Sequence, residues 1–325
     1  MRLRLSRKHV PLLSTTGVCV LLYAAAAIRY PHFFSAYVFV NFFVDNAALG
    51  IVAVGMTFVI LSGGIDLSVG SMVALSNVAV ALLMRQLGVP SALAVVLVLG
   101  LGAAMGLAMG SIVRAFDLAP FIVTLAGLFF ARGVALALWE GSVSIRHPVF
   151  VRLAGLAIPL GATRLPLAAV VFLAVVAGGI CLSVWTAFGR NVYAIGGHEE
   201  AALLMGIPVG QTKALVYTLS GLCSALAGVV LGFQKLSGNP RAAVGMELDA
   251  IAAVVIGGTL LSGGVGYVFG TLVGVLIFGI IRTIIHFEGD LNPWWAKVVI
   301  GVLLLLFILL QKLLARPGLR ERAGG

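Results

Sequence analysis

Charge is what this sequence has least of. Only 10% of its 325 residues are Asp, Glu, Lys or Arg, against 61% hydrophobic, where a soluble domain carries roughly 25% charged residues. No water-exposed fold of this length has an interior large enough to hide so much apolar surface. Lipid must replace water around most of the chain. Cysteine is scarce too. Cys19, Cys181 and Cys223 lie far apart within apolar runs. Their odd number and the lack of a CxxC pair argue against a disulfide framework or a zinc site. The five histidines are scattered, and no HExxH, nucleophile elbow or paired-carboxylate set appears, which leaves catalysis without a constellation. There is no GxxxxGK[ST] loop to cradle phosphate. Neither a metal nor a cofactor is expected.

What the chain does have is long apolar runs and 41 glycines, the latter suited to helices whose backbones approach closely in lipid. Crossing ~30 Å of hydrocarbon takes roughly 17–25 helical residues. Ten runs qualify: about 10–28, 40–61, 66–85, 90–113, 118–139, 164–186, 211–233, 248–262, 264–286 and 293–313. The first is read as an uncleaved span. The net charge of +10 forms no nucleic-acid patch, because Arg2, Arg4, Arg7 and Lys8 sit at one end and Lys312, Arg316, Arg320 and Arg322 at the other. Basic ends flanking apolar spans mark cytoplasmic termini, and ten crossings return the chain to its starting side. The fold class is therefore an all-α, multi-pass integral membrane protein, one domain over 1–325.

The chain also repeats itself at an offset of 200: LSGGIDLSVGS (61–71) recurs as LSGGVGYVFGT (261–271). The spans follow the same offset, giving halves of about 10–113 and 211–313 that run in the same direction. Each half carries a Gly-Gly pair, at 63–64 and 263–264, where a helix is expected to break. Internal repeats are common in transporters.

Between the sixth and seventh spans lies a loop, 187–210, with a helix of its own. Gly196 and Gly197 stop one element; His198, Glu199 and Glu200 open the next with an acidic first turn that complements the helix dipole. Ala201, Ala202, Leu203, Leu204 and Met205 continue it, and Gly206 with Pro208 ends it. Its apolar face is too short to span a membrane and needs a partner surface. Lipid headgroups are the alternative, disfavoured by the acidic start.

Glu200, Ala201, Ala202 and Gly206 stand in the Glu-Ala-Ala…Gly pattern of the coupling helix of ABC importer permeases, and this loop resembles that segment. FGRNVYAIGGHEEAALLMGI is similar to the version in monosaccharide permeases of the ribose type. GMTFVILSGGIDLSVGS (55–71), PFIVTLAG (120–127) and ELDAIAAVVIGGTLLSGGVG (247–266) agree with that family over nearly the whole chain. The closest likeness is to its galactofuranose branch. His198 departs from the family's usual asparagine, though either side chain can cap a helix.

The resemblance implies a permease subunit without ATPase activity in a bacterial inner membrane. It further implies a separate ABC ATPase that grips 198–206, a second permease subunit, and a soluble sugar-binding protein. The outer loops 140–163 and 234–246 are the candidate docking face for that protein. The path for a polyhydroxyl cargo needs hydrogen-bonding side chains at membrane depth, where polar groups are costly. Candidates are Asn46, Thr57, Asp66, Asn77, Thr124, Asp249 and Thr259. For Asp66 the competing reading is the N-cap of the third span, and Asp45, Glu247 and Asp249 serve equally well as helix caps. Arg132 and Arg282 are expected to snorkel or pair with a carboxylate. Two other readings remain open: a branched-chain amino-acid ABC permease, and an ion-coupled secondary transporter using Asp45, Asp66 or Asp249.

Overall fold

The computed structural model describes residues 10–315 except 162, 290, 291 and 293. Arg2, Arg4, Arg7, Lys8, Arg316, Arg320 and Arg322, on which the orientation of the termini rests, lie outside the described residues, as does the side chain of Lys312. A backbone in hydrocarbon must satisfy its own N–H and C=O groups, and helices do so within one segment. The described residues accordingly form fourteen of them.

The first half of the chain runs α1 (Val10–Arg29), α2 (Ala36–Asp45), α3 (Ala47–Leu61), α4 (Val69–Arg85), α5 (Ser91–Phe116) and α6 (Pro120–Leu138). A connecting region follows with β1 (Val143–Ser144), α7 (Pro148–Gly155), β2 (Ala157–Leu160) and β3 (Thr163–Pro166). Next come α8 (Leu167–Trp185), α9 (Ala187–Gly197), α10 (Glu199–Leu204), α11 (Val209–Lys235) and β4 (Ser237–Gly238). The chain closes with α12 (Met246–Ile256), α13 (Val268–Glu288) and α14 (Trp295–Ala315).

At the centre lies α3, all fifteen of whose residues are buried, enclosed by α8, α11, α12 and α13. Against it α11 crosses the whole bundle, packing on α5 where Gly102, Gly106 and Gly110 meet Ala225, Tyr217 and Ala214. Such small-residue seams let backbones approach when no hydrophobic gain separates protein from lipid. The outer helices α1, α5, α6 and α8 turn most of their residues outward.

Among the described residues, six helices are long and apolar enough to cross a membrane, and a seventh crossing results if α2 and α3, bent by 56°, count as one. The expectation of about ten is thus only partly matched by helix length. The reasons are local. The expected third span begins three residues late, at Val69, because 62–68 is non-helical. The expected eighth ends at Ile256, and α12 has only 11 residues, about 16 Å of rise, half a bilayer core. The expected second span is broken at Asn46. Both Gly-Gly pairs do lie in breaks, between α3 and α4 and between α12 and α13.

The short strands amend the purely helical expectation only in the connecting loops. β1 pairs antiparallel with β4, and β2 with β3. The first ribbon ties the two loops 140–163 and 234–246 together, reinforced by the Ile145 amide donating to the Leu236 carbonyl at 2.8 Å.

Candidate functional site

The two glycine turns, 200 residues apart, touch. The Gly264 amide donates to the Leu61 carbonyl at 2.9 Å. The end of α9 sits in the same junction: a Cβ at Gly196 would overlap the Leu61 carbonyl oxygen and crowd the Gly264 amide, both backbone atoms. Only glycine lets three chains meet there. The Tyr193 hydroxyl, also on α9, donates to the Gly266 carbonyl at 2.8 Å, and burial holds its phenol above the ordinary range.

From this junction α10 projects. His198 caps it, its Nδ1 accepting from the Ala201 amide at 3.3 Å, as an N-cap should. Glu199 pairs with Lys213 on α11 at 2.6 Å, and Glu200 is exposed. Ala202 is fully buried against Ile195 and Val209. Gly206, at φ +79°, ends the helix, and the Ile207 amide closes back on the Ala202 carbonyl at 3.1 Å. A backbone turned that way disfavours any side chain. The result is an anchored helix whose outermost side chains, Leu203, Leu204 and Met205, are 64%, 89% and 70% exposed. Between α10 and the first glycine turn opens a cavity of about 550 Å³, bordered by Ser62, Gly64, Glu200, Lys213, Tyr217 and Ser262.

The polar residues singled out in the spans do not form one group. Asp66 is wholly buried; Oδ1 accepts from the Ser68 amide (2.9 Å) and hydroxyl (2.6 Å), and Oδ2 from Ser220 on α11 at 2.7 Å. It caps the approach to α4. Thr57 meets the Thr271 hydroxyl at 2.7 Å, joining α3 to α13. Asn77 donates to the carbonyls of Gly228 and Ser237 and accepts from the Asn239 amide at 2.7 Å. Thr124 donates to the Pro120 and Ile65 carbonyls. These four therefore hold helices to their neighbours with their own polar atoms engaged.

Asn46 and Asp249 come together elsewhere. Arg282 on α13 donates to Asn46 Oδ1 at 3.3 Å and to Asp249 at 3.1 Å, and Lys297 lies 3.7 Å from Asp249. A cavity of about 700 Å³ opens beside them, bordered by Asn41, Asp45, Asn46, Arg282, Thr283 and His286. Thr259 is buried, and its hydroxyl has no hydrogen-bond partner among the described residues. Arg132 is held by the carbonyls of Pro240 and Ala242 at 2.7 and 2.9 Å, rather than snorkelling. Tyr193, within the loop 187–210, and Lys213, just beyond it, were not singled out from the sequence: Tyr193 finds its partner Gly266 73 positions away, and Lys213 meets Glu199 only once the chain turns back at Gly206. No group of His, Cys, Asp and Glu able to hold a metal occurs among the described residues.

Comparison with known proteins follows this geometry. The chain is 50% identical to the inner membrane ABC transporter permease protein YjfF of Escherichia coli K12, over 94% of this chain and 93% of that one. It is 40% identical to the ribose import permease protein RbsC of Bacillus subtilis, over 90% of each. The fructose import permease protein FruG of Bifidobacterium longum is 34% identical over 97% of this chain and 94% of its own. No solved structure matches. Residues 38–308 match the family described as branched-chain amino acid transport system / permease component, and with relatives this similar over almost their full length, the chain belongs to that permease family.

Proposed function

We propose that this chain is the membrane-spanning subunit of an ATP-binding cassette importer for a monosaccharide, ribose-like or galactofuranose-like. One observation carries the reading: α10 is a short helix pinned by Ala202 and stopped at Gly206, with three bare apolar side chains pointing away from the bundle. Apolar anchors on a helix suit a groove on another protein. Relatives with ribose and fructose in their names support a sugar over a branched-chain amino acid as cargo. The galactofuranose version rests on the motif likeness alone.

In this reading a separate ATPase receives α10, with His198, Glu199, Glu200, Ala201, Ala202 and Gly206 as the coupling segment. Both termini face the cytoplasm, and ten crossings, in two parallel halves related by the 200-residue offset, include α4 and α14, with α12 and the non-helical chain beside it together making one of the ten. A second permease subunit completes the path, and the ribbon-joined loops 140–163 and 234–246 receive a sugar-binding protein. Asn46 and Asp249 are the better lining candidates of those named, because the cluster they form with Arg282 borders a cavity, whereas Thr57, Asp66, Asn77 and Thr124 lie in contacts between one helix or loop and the next. Closure of the ATPases would move α10 as a lever, a rigid-body transition.

The test is uptake in cells lacking the partner ATPase. Accumulation should vanish, and its persistence would refute the assignment. Replacing Leu204 with Glu should leave the protein in the membrane while uncoupling hydrolysis from transport.

A further inference from the structure

The chain between β4 and α12 is non-helical, yet it is held by residues from the middle of spans. Asn77, near the centre of α4, binds Ser237 and Asn239. Arg132, past the centre of α6, binds the carbonyls of Pro240 and Ala242. Gly238 packs against Asn77 and Ala81. Irregular backbone at such depth is tolerated where it is buried in protein or lines a water-filled cavity. Here it is not fully covered: Arg241 is exposed, as are Val244 and Leu248, at 69% and 63%. A guanidinium is costly against lipid tails, which favours water as the neighbour of that surface. Behind it lies Glu247, whose Oε2 is shut off from solvent, faces Gly70 and has no hydrogen-bond partner among the described residues.

We infer that this corner, formed by α4, α6 and the start of α12, faces the water-filled translocation path, and that Glu247 and Arg132 are its contacts to the hydroxyl groups of a neutral sugar. A carboxylate accepts and a guanidinium donates, so the pair meets both faces of a hydroxyl's bonding capacity without selecting a charged cargo. Half-helices that begin beside unwound backbone serve this purpose in other transporters. The inference rests on the sugar-importer reading for its cargo but not for its geometry.

The experiment is thiol labelling in a background with Cys19, Cys181 and Cys223 replaced. Leu248→Cys, on α12 and beyond the outer loop 234–246, should react with a small, charged, water-borne thiol reagent at least about tenfold faster than Leu21→Cys on α1, which is 70% exposed but belongs to an apolar span. Thiolates, not thiols, react, and they form only in water. Equal rates at the two positions would overturn the inference. Glu247→Gln should then slow sugar uptake about tenfold, the worth of one hydrogen bond to a charged group, with ATP hydrolysis retained; unchanged uptake would remove Glu247 from the path. If uptake proves independent of ATP, the importer reading fails while the labelling pattern stands.

Discussion

The two glycine turns share their sequence and lie against each other, yet they are held differently. The first is locked into the bundle: Asp66 caps α4 and takes a third hydrogen bond from Ser220 on α11. The second has Gly266 where the first has Asp66, and the Thr259 side chain fills the space a side chain there would need. Its carbonyl is held by Tyr193 from α9, the helix that leads into α10. One turn is thus fixed to the core, and the other is tied to the helix that leads into exposed α10. Two stretches with similar sequences need not keep the same duty once folded into one molecule.

Four substitutions would break or sharpen that contrast. Gly196→Ala should do most, forcing both turns and α9 apart through contacts with backbone that cannot yield. A loss of about 3 kcal/mol or more is expected, seen as a collapsed thermal transition in detergent. Asp66→Ala comes next: it strands the Ser68 amide and the Ser68 and Ser220 hydroxyls, for about 2–3 kcal/mol by the same measurement. A drop no larger than that of a surface substitution would erase the distinction between the turns. Tyr193→Phe should cost only about 1 kcal/mol, but transport per ATP hydrolysed in reconstituted vesicles should fall further than stability does. Thr259→Val is expected within about 0.5 kcal/mol of the parent, because its hydroxyl already lacks a partner among the described residues and the methyl keeps the shape.

How much of this could be read from sequence depends on the range of the forces involved. The segment around α10 was legible almost residue by residue: Gly197 ends α9, His198 caps α10 and Gly206 terminates it. Caps and turns are set within a few residues, so local chemistry suffices. The apolar runs located most long helices for the same reason, and the family likeness held. The polar residues inside spans were not legible in this way. α3 is buried on every side, so no periodicity indicates what Thr57 touches, and its partner Thr271 is 214 positions away. Asn77 stood as a path candidate because nothing near it in sequence points to the chain at 237–239, some 160 positions on, that folds onto it. The bend at Asn46 and the unwound run before α12 depend on neighbours of the same kind, Arg282 and Arg132, brought in from other helices.

The apolar tip of α10 has a consequence outside the transport cycle. Leu203, Leu204 and Met205 stand in contact with water unless something covers them, and bare aliphatic surface of this sort is a target for aggregation and for quality-control proteases. A cell making this subunit in excess of whatever protein seats that tip would hold a surplus marked for removal, so the abundance of one would set the tolerated abundance of the other.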